Sequence, residues 1–297
     1  MMNSLPPFGQ PGQWLKGNLH THTTQSDGKL TPAENVKWHA EHGYHFATIT
    51  DHNRVTDPRR WVPAAPIPVI SSVEVTARRG EVEYHILSLG VDDMPAPRNS
   101  DPQVVIDAVN AAGGVAIVAH PYWHDLTFDD LLALHGHIAI EIFNTGCQFD
   151  SSKALSVVHW DGVLRRGQRV FGVATDDSHF AYPDYGGGWI WLRAEQADRA
   201  SIVAALRAGA FYASTGPEIH DVQLDGRQVT VHCSPAFSIL VIGDYYHCPM
   251  GVHAWDGNLL TEATFTLDPE QEYLRVEVID VDHHSAWTNA HFVEAHA

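Results

Sequence analysis

The sequence predicts an α/β protein: a distorted (β/α)7 barrel over residues 14–217, then a small β-sandwich-like domain over 218–297, with residues 1–13 as a lead-in. Three observations carry this. Short apolar runs such as Phe46-Ala47-Thr48-Ile49-Thr50 alternate with capped helical stretches, the pattern of strands covered on both faces by helices. Nearly every run delivers a His, Asp or Glu at or near its C-terminal end, where parallel barrels keep their chemistry. After Glu218 the helical stretches stop, and short β-type runs separated by turns take over.

The lead-in MMNSLPPFGQPGQ has no periodicity, so no element is expected in it. A first strand runs from about Trp14 to His22. Thr31-Pro32-Ala33-Glu34 offers an N-cap, a proline at the first helical position and a capping-box glutamate, and Gly43 ends that helix. The strand at Phe46 ends in Asp51-His52-Asn53. Strands follow at Ile67–Val75, carrying Glu74, and at Val82–Leu89, carrying His85. Asp101-Pro102 caps a helix to Ala112, Gly113-Gly114 stops it, and the strand Val115–Ala119 delivers His120-Pro121. A short capped helix spans Thr127–Leu134, a strand at Ile138–Phe143 ends at Asn144, and Ser151–Arg166 reads as one helix. The strand Arg169–Ala174 ends in Asp176-Asp177-Ser178-His179, and Trp189–Leu192, a helix to Ala208 and Phe211–Pro217 finish the region. In the C-terminal part, runs at Val222–Leu224, Val229–Cys233, Ser238–Ile242, Ala263–Leu267 and Leu274–Ile279 read as strands, with Asp225-Gly226 as a hairpin turn.

Composition bounds the partners. With 18 basic against 36 acidic residues the formal charge is −18, which argues against nucleic acid and anionic membranes. Bound divalent cations would offset part of that acidity. Cys147, Cys233 and Cys248 are widely spaced and form no C-x-x-C pattern, so neither a disulfide framework nor a zinc ribbon is expected. No apolar run approaches the ~18 residues that span a bilayer, and no basic-then-apolar leader opens the chain, so a cytoplasmic protein acting on a small molecule is expected. Oligomeric state is left open.

The 21 histidines are the outlying feature. In an extended segment side chains alternate, so His20 and His22 face one side and can grip one ion, and Asp27 follows on a turn that can bring its carboxylate back to them. Collected from the strand ends, the set is His20, His22, Asp27, His52, Glu74, His85, His120, Asp177 and His179. A hydrogen-bonded structural role competes well for any one of these histidines and poorly for the ordered set. Imidazoles and carboxylates without thiolates suit Zn, Mn or Fe in catalytic sites, and nine ligands would serve two or three divalent metal ions sharing a carboxylate.

The ordered series H-T-H with S-D-G, T-D-H, a strand Glu, a strand His, A-H-P and D-S-H, over residues 15–217, resembles the PHP (polymerase and histidinol phosphatase) family of metallohydrolases. The wording NLHTHTTQSDGKLTP, ITDHN, FYASTGPEI, YLRVEVID and AWTN resembles the branch that contains the carbaryl hydrolases. Residue by residue, the resemblance implies one metal on His20, His22, Glu74 and Asp177, a second on Glu74, His85 and His120 with Glu74 as the bridge, and a third position at Asp27, His52 and His179. Some family members have His where this chain has Asp27. Asp176 can exchange roles with its neighbour, and the Asp-x-His spacing favours Asp177.

A multinuclear metal-dependent hydrolase is therefore expected, using a metal-bound hydroxide on an ester bond, with a slight preference for phosphomonoesters or phosphodiesters. An aryl carbamate or carboxylic ester hydrolase and a non-catalytic metal-dependent binding module are the alternatives. No G-x-S-x-G elbow is present, which argues against a serine esterase. Asp51 is a candidate to orient a ligand histidine or handle the leaving-group proton, and Asn144 faces the same mouth. Arg54, with Arg59 and Arg60, is a candidate for an anionic substrate group, set against solvated loop charges. Tyr122 and Trp123 can form an aromatic wall or pack the rim, and Cys147 reads as a buried inert thiol.

Overall fold

The computed structural model describes residues 3–244 and 250–293; Cys248 and His296 lie outside them. The elements in order are β1 (Asn3–Ser4), β2 (Gln13–Asn18), α1 (Pro32–Glu41), β3 (Phe46–Ile49), α2 (Pro58–Trp61), β4 (Val69–Arg79), β5 (Val82–Leu89), α3 (Pro102–Ala111), β6 (Val115–Val118), α4 (Phe128–Leu132), β7 (Ala139–Asn144), α5 (Thr145–Ser151), α6 (Val157–Leu164), β8 (Phe171–Thr175), β9 (Trp189–Ala194), α7 (Arg199–Arg207) and β10 (Phe211–Ser214). There follow β11 (Ile219–Asp225), β12 (Gln228–Ala236), β13 (Ser238–Gly243), β14 (Met250–His253), β15 (Leu260–Thr266), β16 (Tyr273–Ile279), β17 (Ser285–Thr288) and β18 (His291–Phe292).

The expected helix starts form as their caps dictate. Thr31 and Glu34 close a capping box on α1, Thr127 and Asp130 close another on α4, and Asp101 accepts from Gln103 N at the start of α3. The expected helix at Ser151–Arg166 shortens to α6, and α5 forms ahead of it: Asn144 caps α5 by accepting from Cys147 N, and Ser152 ends it in the left-handed region at φ +60°. The lead-in is also more than a loop, since Asn3 and Ser4 pair with Leu224 and Gln223 of β11, and Leu5 enters the C-terminal core.

The expectation of an all-parallel (β/α)7 barrel is corrected to a mixed sheet. Strands β2, β3 and β4 run parallel, as do β6, β7 and β8, but β5 is antiparallel to both β4 and β6. The reason is local: β4 and β5 are joined over Gly80 and Glu81, with Arg79 opposite Val82 and Gly80 at φ +62°. A two-residue connection can only reverse the chain. The segments following β2 and β8 meet edge to edge: Asp177 N donates to His20 O at 3.0 Å and His22 N donates to Ser178 O at 2.9 Å. On the other side of β2 the sheet continues antiparallel through β9 and β10 to β17, β16, β13 and β14.

The C-terminal strands thus extend the large sheet, and a second sheet in the order β1-β11-β12-β15 packs on them. Val222, Val229, Val231, Phe265, Ile239, Val241, Val276 and Val278 fill the layer between. The Asp225-Gly226 turn forms as expected, with Asp225 opposite Gln228. In the N-terminal half Val73, Val75, Ile86, Val118, Ile140 and Ile142 are fully buried, each worth about 1.5–3 kcal/mol in burial. That rigid floor fixes the strand ends from which the ligand set projects. Among the described residues no helix is long and apolar enough to cross a membrane.

Candidate metal centre

All nine strand-end residues converge. After β2 the chain stays extended, so Thr21 turns away to bond Ser178 Oγ and Asn35 Nδ2 while His20 and His22 face the same side, their Nε2 atoms 3.2 Å apart. Glu74 is locked opposite the exit of β3, with Asn53 N donating to Glu74 O at 2.8 Å. His85 follows on β5, and His120 leaves β6 at φ +26°. Asp177 takes φ +53°, so two residues of the set sit in a backbone region costing about 1–3 kcal/mol each.

Glu74 is the geometric centre. Its Oε2 lies 3.2 Å from His20 Nε2, 3.2 Å from His22 Nε2 and 3.0 Å from His52 Nδ1, while its Oε1 lies 2.7 Å from His85 Nδ1 and 3.2 Å from His120 Nε2. Asp177 Oδ1 stands 3.2 Å from His20 Nε2 and 3.0 Å from His22 Nε2, and its Oδ2 is 3.7 Å from His120 Nε2. Asp27 gathers a more open group, 3.4 Å from His179 Nε2, 3.6 Å from His52 Nε2 and 3.8 Å from His22 Nδ1.

The donor set fits divalent cations. Glu74 Oε2 and Asp177 Oδ1 are buried without a hydrogen-bond partner, an arrangement that is costly unless something else meets them. Four N and O ligands set tetrahedrally at about 2.0–2.2 Å from an ion stand roughly 3.3–3.6 Å apart, close to the 3.0–3.2 Å seen among His20, His22, Glu74 and Asp177. Burial alone would favour neutral acids here, yet the crowding imidazoles hold both Glu74 and Asp177 well below the usual carboxylate range. Burial likewise opposes charge on His179, and its hydrogen bond to Asp27 together with the charges of Asp177 and Asp27 outweighs this and raises its pKa to about 9.

Asp176 is separated from Asp177 by environment. It accepts from Gly186 N, Gly187 N, Gly188 N, Thr145 Oγ1 and Asn18 Nδ2 at 2.6–2.9 Å, so it ties the 186–188 loop and faces away from the imidazoles. Asp51 stands one step removed from the imidazoles. Its oxygens are filled by Thr23 N, Thr23 Oγ1, Ser26 Oγ and Thr56 Oγ1, and it reaches the set only through Ser26, 3.5 Å from His22 Nδ1. Asn144 is buried rather than at an open mouth, its Nδ2 donating to Glu141 Oε2 at 3.0 Å and Asp177 Oδ2 at 3.3 Å.

A cavity of about 200 Å³ opens over His52, His85, His120, Asp177 and His179, walled by Trp123, Tyr182, Cys147 and Asp150. Trp123, held by Asp150 at 2.8 Å, takes the wall position; Tyr122 points out beside Lys153. Burial pushes the Cys147 thiol up, as expected of an inert one. Arg54 is exposed and lines neither this cavity nor its neighbour, Arg59 pairs with Asp57, and Arg60 lies over Trp61. The guanidinium that does line a cavity at the site is Arg98: a second space of about 400 Å³ shares His52 and His85 and adds Asn53, Thr76, Glu83 and Arg98.

Glu141 is the main residue that sequence reasoning missed. It accepts from His20 Nδ1 at 2.7 Å, Thr175 Oγ1 at 2.8 Å, His120 N at 2.8 Å and Asn144 Nδ2. A lone glutamate inside the apolar strand Ala139-Ile140-Glu141-Ile142 was the available signal, because a charge is kept at such a position only when satisfied.

No protein-family model matches the chain. A stretch of 78 residues, 25% of the chain, is 35% identical to a 3′,5′-nucleoside bisphosphate phosphatase of Chromobacterium violaceum, of whose length the match spans 27%. A stretch of 150 residues, 44% of the chain, is 26% identical to an uncharacterized protein of Methanocaldococcus jannaschii, covering 82% of it. A solved two-domain protein from Bacteroides vulgatus, containing a predicted PHP-like metal-dependent phosphoesterase, superposes over 98% of both chains with a TM-score of 0.54 and 14% identity. Over both halves, then, this chain is similar in fold to a two-domain protein with a PHP-like phosphoesterase.

Proposed function

We propose that the chain is a multinuclear metal-dependent hydrolase of the PHP type acting on a small ester substrate, with phosphoesters favoured. The observation that carries this is Glu74, a buried carboxylate whose two oxygens each face a separate set of imidazoles. In this reading His20, His22, Glu74 and Asp177 hold one ion, Glu74, His85 and His120 a second, and Asp27, His52 and His179 a third. Zn, Mn or Fe bound there supplies a Lewis acid and a nucleophilic water near neutral pH.

The chain's own groups do the rest. Glu141 fixes the His20 ring with Nδ1–H toward itself, leaving Nε2 for ligation. Asn144 steadies both Glu141 and Asp177. Trp123 and Tyr182 limit the substrate to what about 200 Å³ admits, and Arg98 offers a charge-assisted contact for an anionic oxygen beyond His52 and His85. One observation favours the aryl carbamate or carboxylic ester reading instead: the nearer cavity has aromatic walls and an aspartate but no Lys or Arg.

A panel of p-nitrophenyl phosphate, bis-p-nitrophenyl phosphate and 1-naphthyl N-methylcarbamate, each with Mn or Zn, separates the two. Phosphoester turnover supports the first reading. Carbamate turnover alone moves the function to the second.

A further inference from the structure

The geometry points to a further metal ligand, His124, completing an imidazole-rich position with His85 and His120. It sits four residues after His120, and its N–H reaches back to His120 O at 3.4 Å, which turns the ring inward. The ring centroid is 4.5 Å from that of His85 and 5.0 Å from that of His120. One ring nitrogen from each of the three lies within 4.8 Å of the other two. Its Nε2 is buried without a hydrogen-bond partner. Packing against Trp123, 4.9 Å away, accounts for where the ring is but leaves that nitrogen unmet. An unpartnered buried nitrogen on a half-buried imidazole, beside two other imidazoles, is the donor a divalent ion takes.

This rests on the reading that Glu74, His85 and His120 hold an ion, and it changes the character of that ion's site. One position has two imidazoles and two carboxylates, His20, His22, Glu74 and Asp177; the other, with His124 added, has three imidazoles against the one carboxylate. Imidazole-rich sets suit Zn over the harder Mn, so the two positions differ in metal preference and the second is the tighter for Zn.

The test is Zn²⁺ binding to the metal-stripped full chain, read by competition with a chromophoric chelator, for wild type, His124→Ala, His124→Gln and His120→Ala. The glutamine variant keeps most of the ring's volume if the alanine variant does not fold. The visible absorption of the Co²⁺-loaded proteins gives a second readout of ligand number. The expected result is that both His124 variants lose at least about tenfold in affinity for one ion, keep the others, and change the Co²⁺ spectrum. His124 variants that bind Zn²⁺ and Co²⁺ as wild type does, while His120→Ala is weakened, overturn the inference and leave the ligand reading standing. A His120→Ala protein that also binds as wild type overturns both.

Discussion

Replacing Glu141 by glutamine tests whether the ligand set is held from outside. The carboxylate takes four donors, two at each oxygen: His20 Nδ1 and Thr175 Oγ1 at Oε1, and His120 N and Asn144 Nδ2 at Oε2. A glutamine must turn its NH2 toward one pair. Facing His120 N and Asn144 Nδ2 sets donor against donor, and neither can reverse. Facing His20 and Thr175 is cheaper, because the hydroxyl rotates and the imidazole can shift its proton to Nε2. That is the atom lying 3.2 Å from both Glu74 Oε2 and Asp177 Oδ1. Protonated there, His20 cannot ligate. Burial works against a charged Glu141, and the His20 charge and hydrogen bond nevertheless hold it below its usual value, so the native group is the anion and the substitution removes a charge. Loss of such an outer partner costs 10–100-fold in metal affinity, about 1.4–2.7 kcal/mol. Chelator competition on Glu141→Gln should read that drop with the fold retained by circular dichroism. Wild-type metal affinity in this variant would show that Glu141 does not hold the ligand set.

Three further outcomes follow from the structure. Arg98→Met should raise KM for a phosphoester about tenfold and leave a neutral carbamate almost unaffected; equal effects on both would remove Arg98 from substrate contact. Arg275 in β16, 1% exposed, makes a two-pronged contact of 2.8 and 2.9 Å with Asp161 of α6, so Arg275→Met should cost about 3 kcal/mol in urea unfolding and weaken both halves together. A loss below about 1 kcal/mol would show that the contact is not a tie between them. Burial lowers His137 to about 4, and both its ring nitrogens lack partners. The unfolded chain therefore binds the extra proton as pH falls from about 6.5 to 4, and stability is lost through that window, by about 3 kcal/mol for this residue. His137→Leu should flatten that part of the pH dependence relative to wild type, and parallel curves would count against it.

Much of the site was legible because it is one-dimensional: seven of the nine follow a strand end, which can be read from apolar runs, and only Glu74 and His85 lie inside strands, as lone polar residues among apolar ones. The sheet was less so. Reading β4 and β5 as parallel neighbours ignored that Gly80-Glu81 leaves no room for a crossover, and that single turn reverses β5 and breaks the barrel pattern. Side chains that act through others were the harder class. Asp51, a candidate to orient a ligand histidine or handle a proton, and Asp176, the less favoured alternative to Asp177, stand beside ligands in the sequence, while the backbone amides and hydroxyls that occupy their oxygens are invisible in a one-dimensional reading. Glu141 and His124 lie off the motif pattern. Arg98 was missed for a related reason, since it comes from the loop between β5 and α3, and sequence reasoning looked for cations beside His52.

The central claim is that Glu74 is shared between ions. Elemental analysis of the purified wild-type chain beside Glu74→Ala tests it most directly. Two or three divalent ions per wild-type chain are expected, and the variant should lose more than one of them together with its turnover. Equal metal content in the two proteins, or no metal in the wild type, would contradict it.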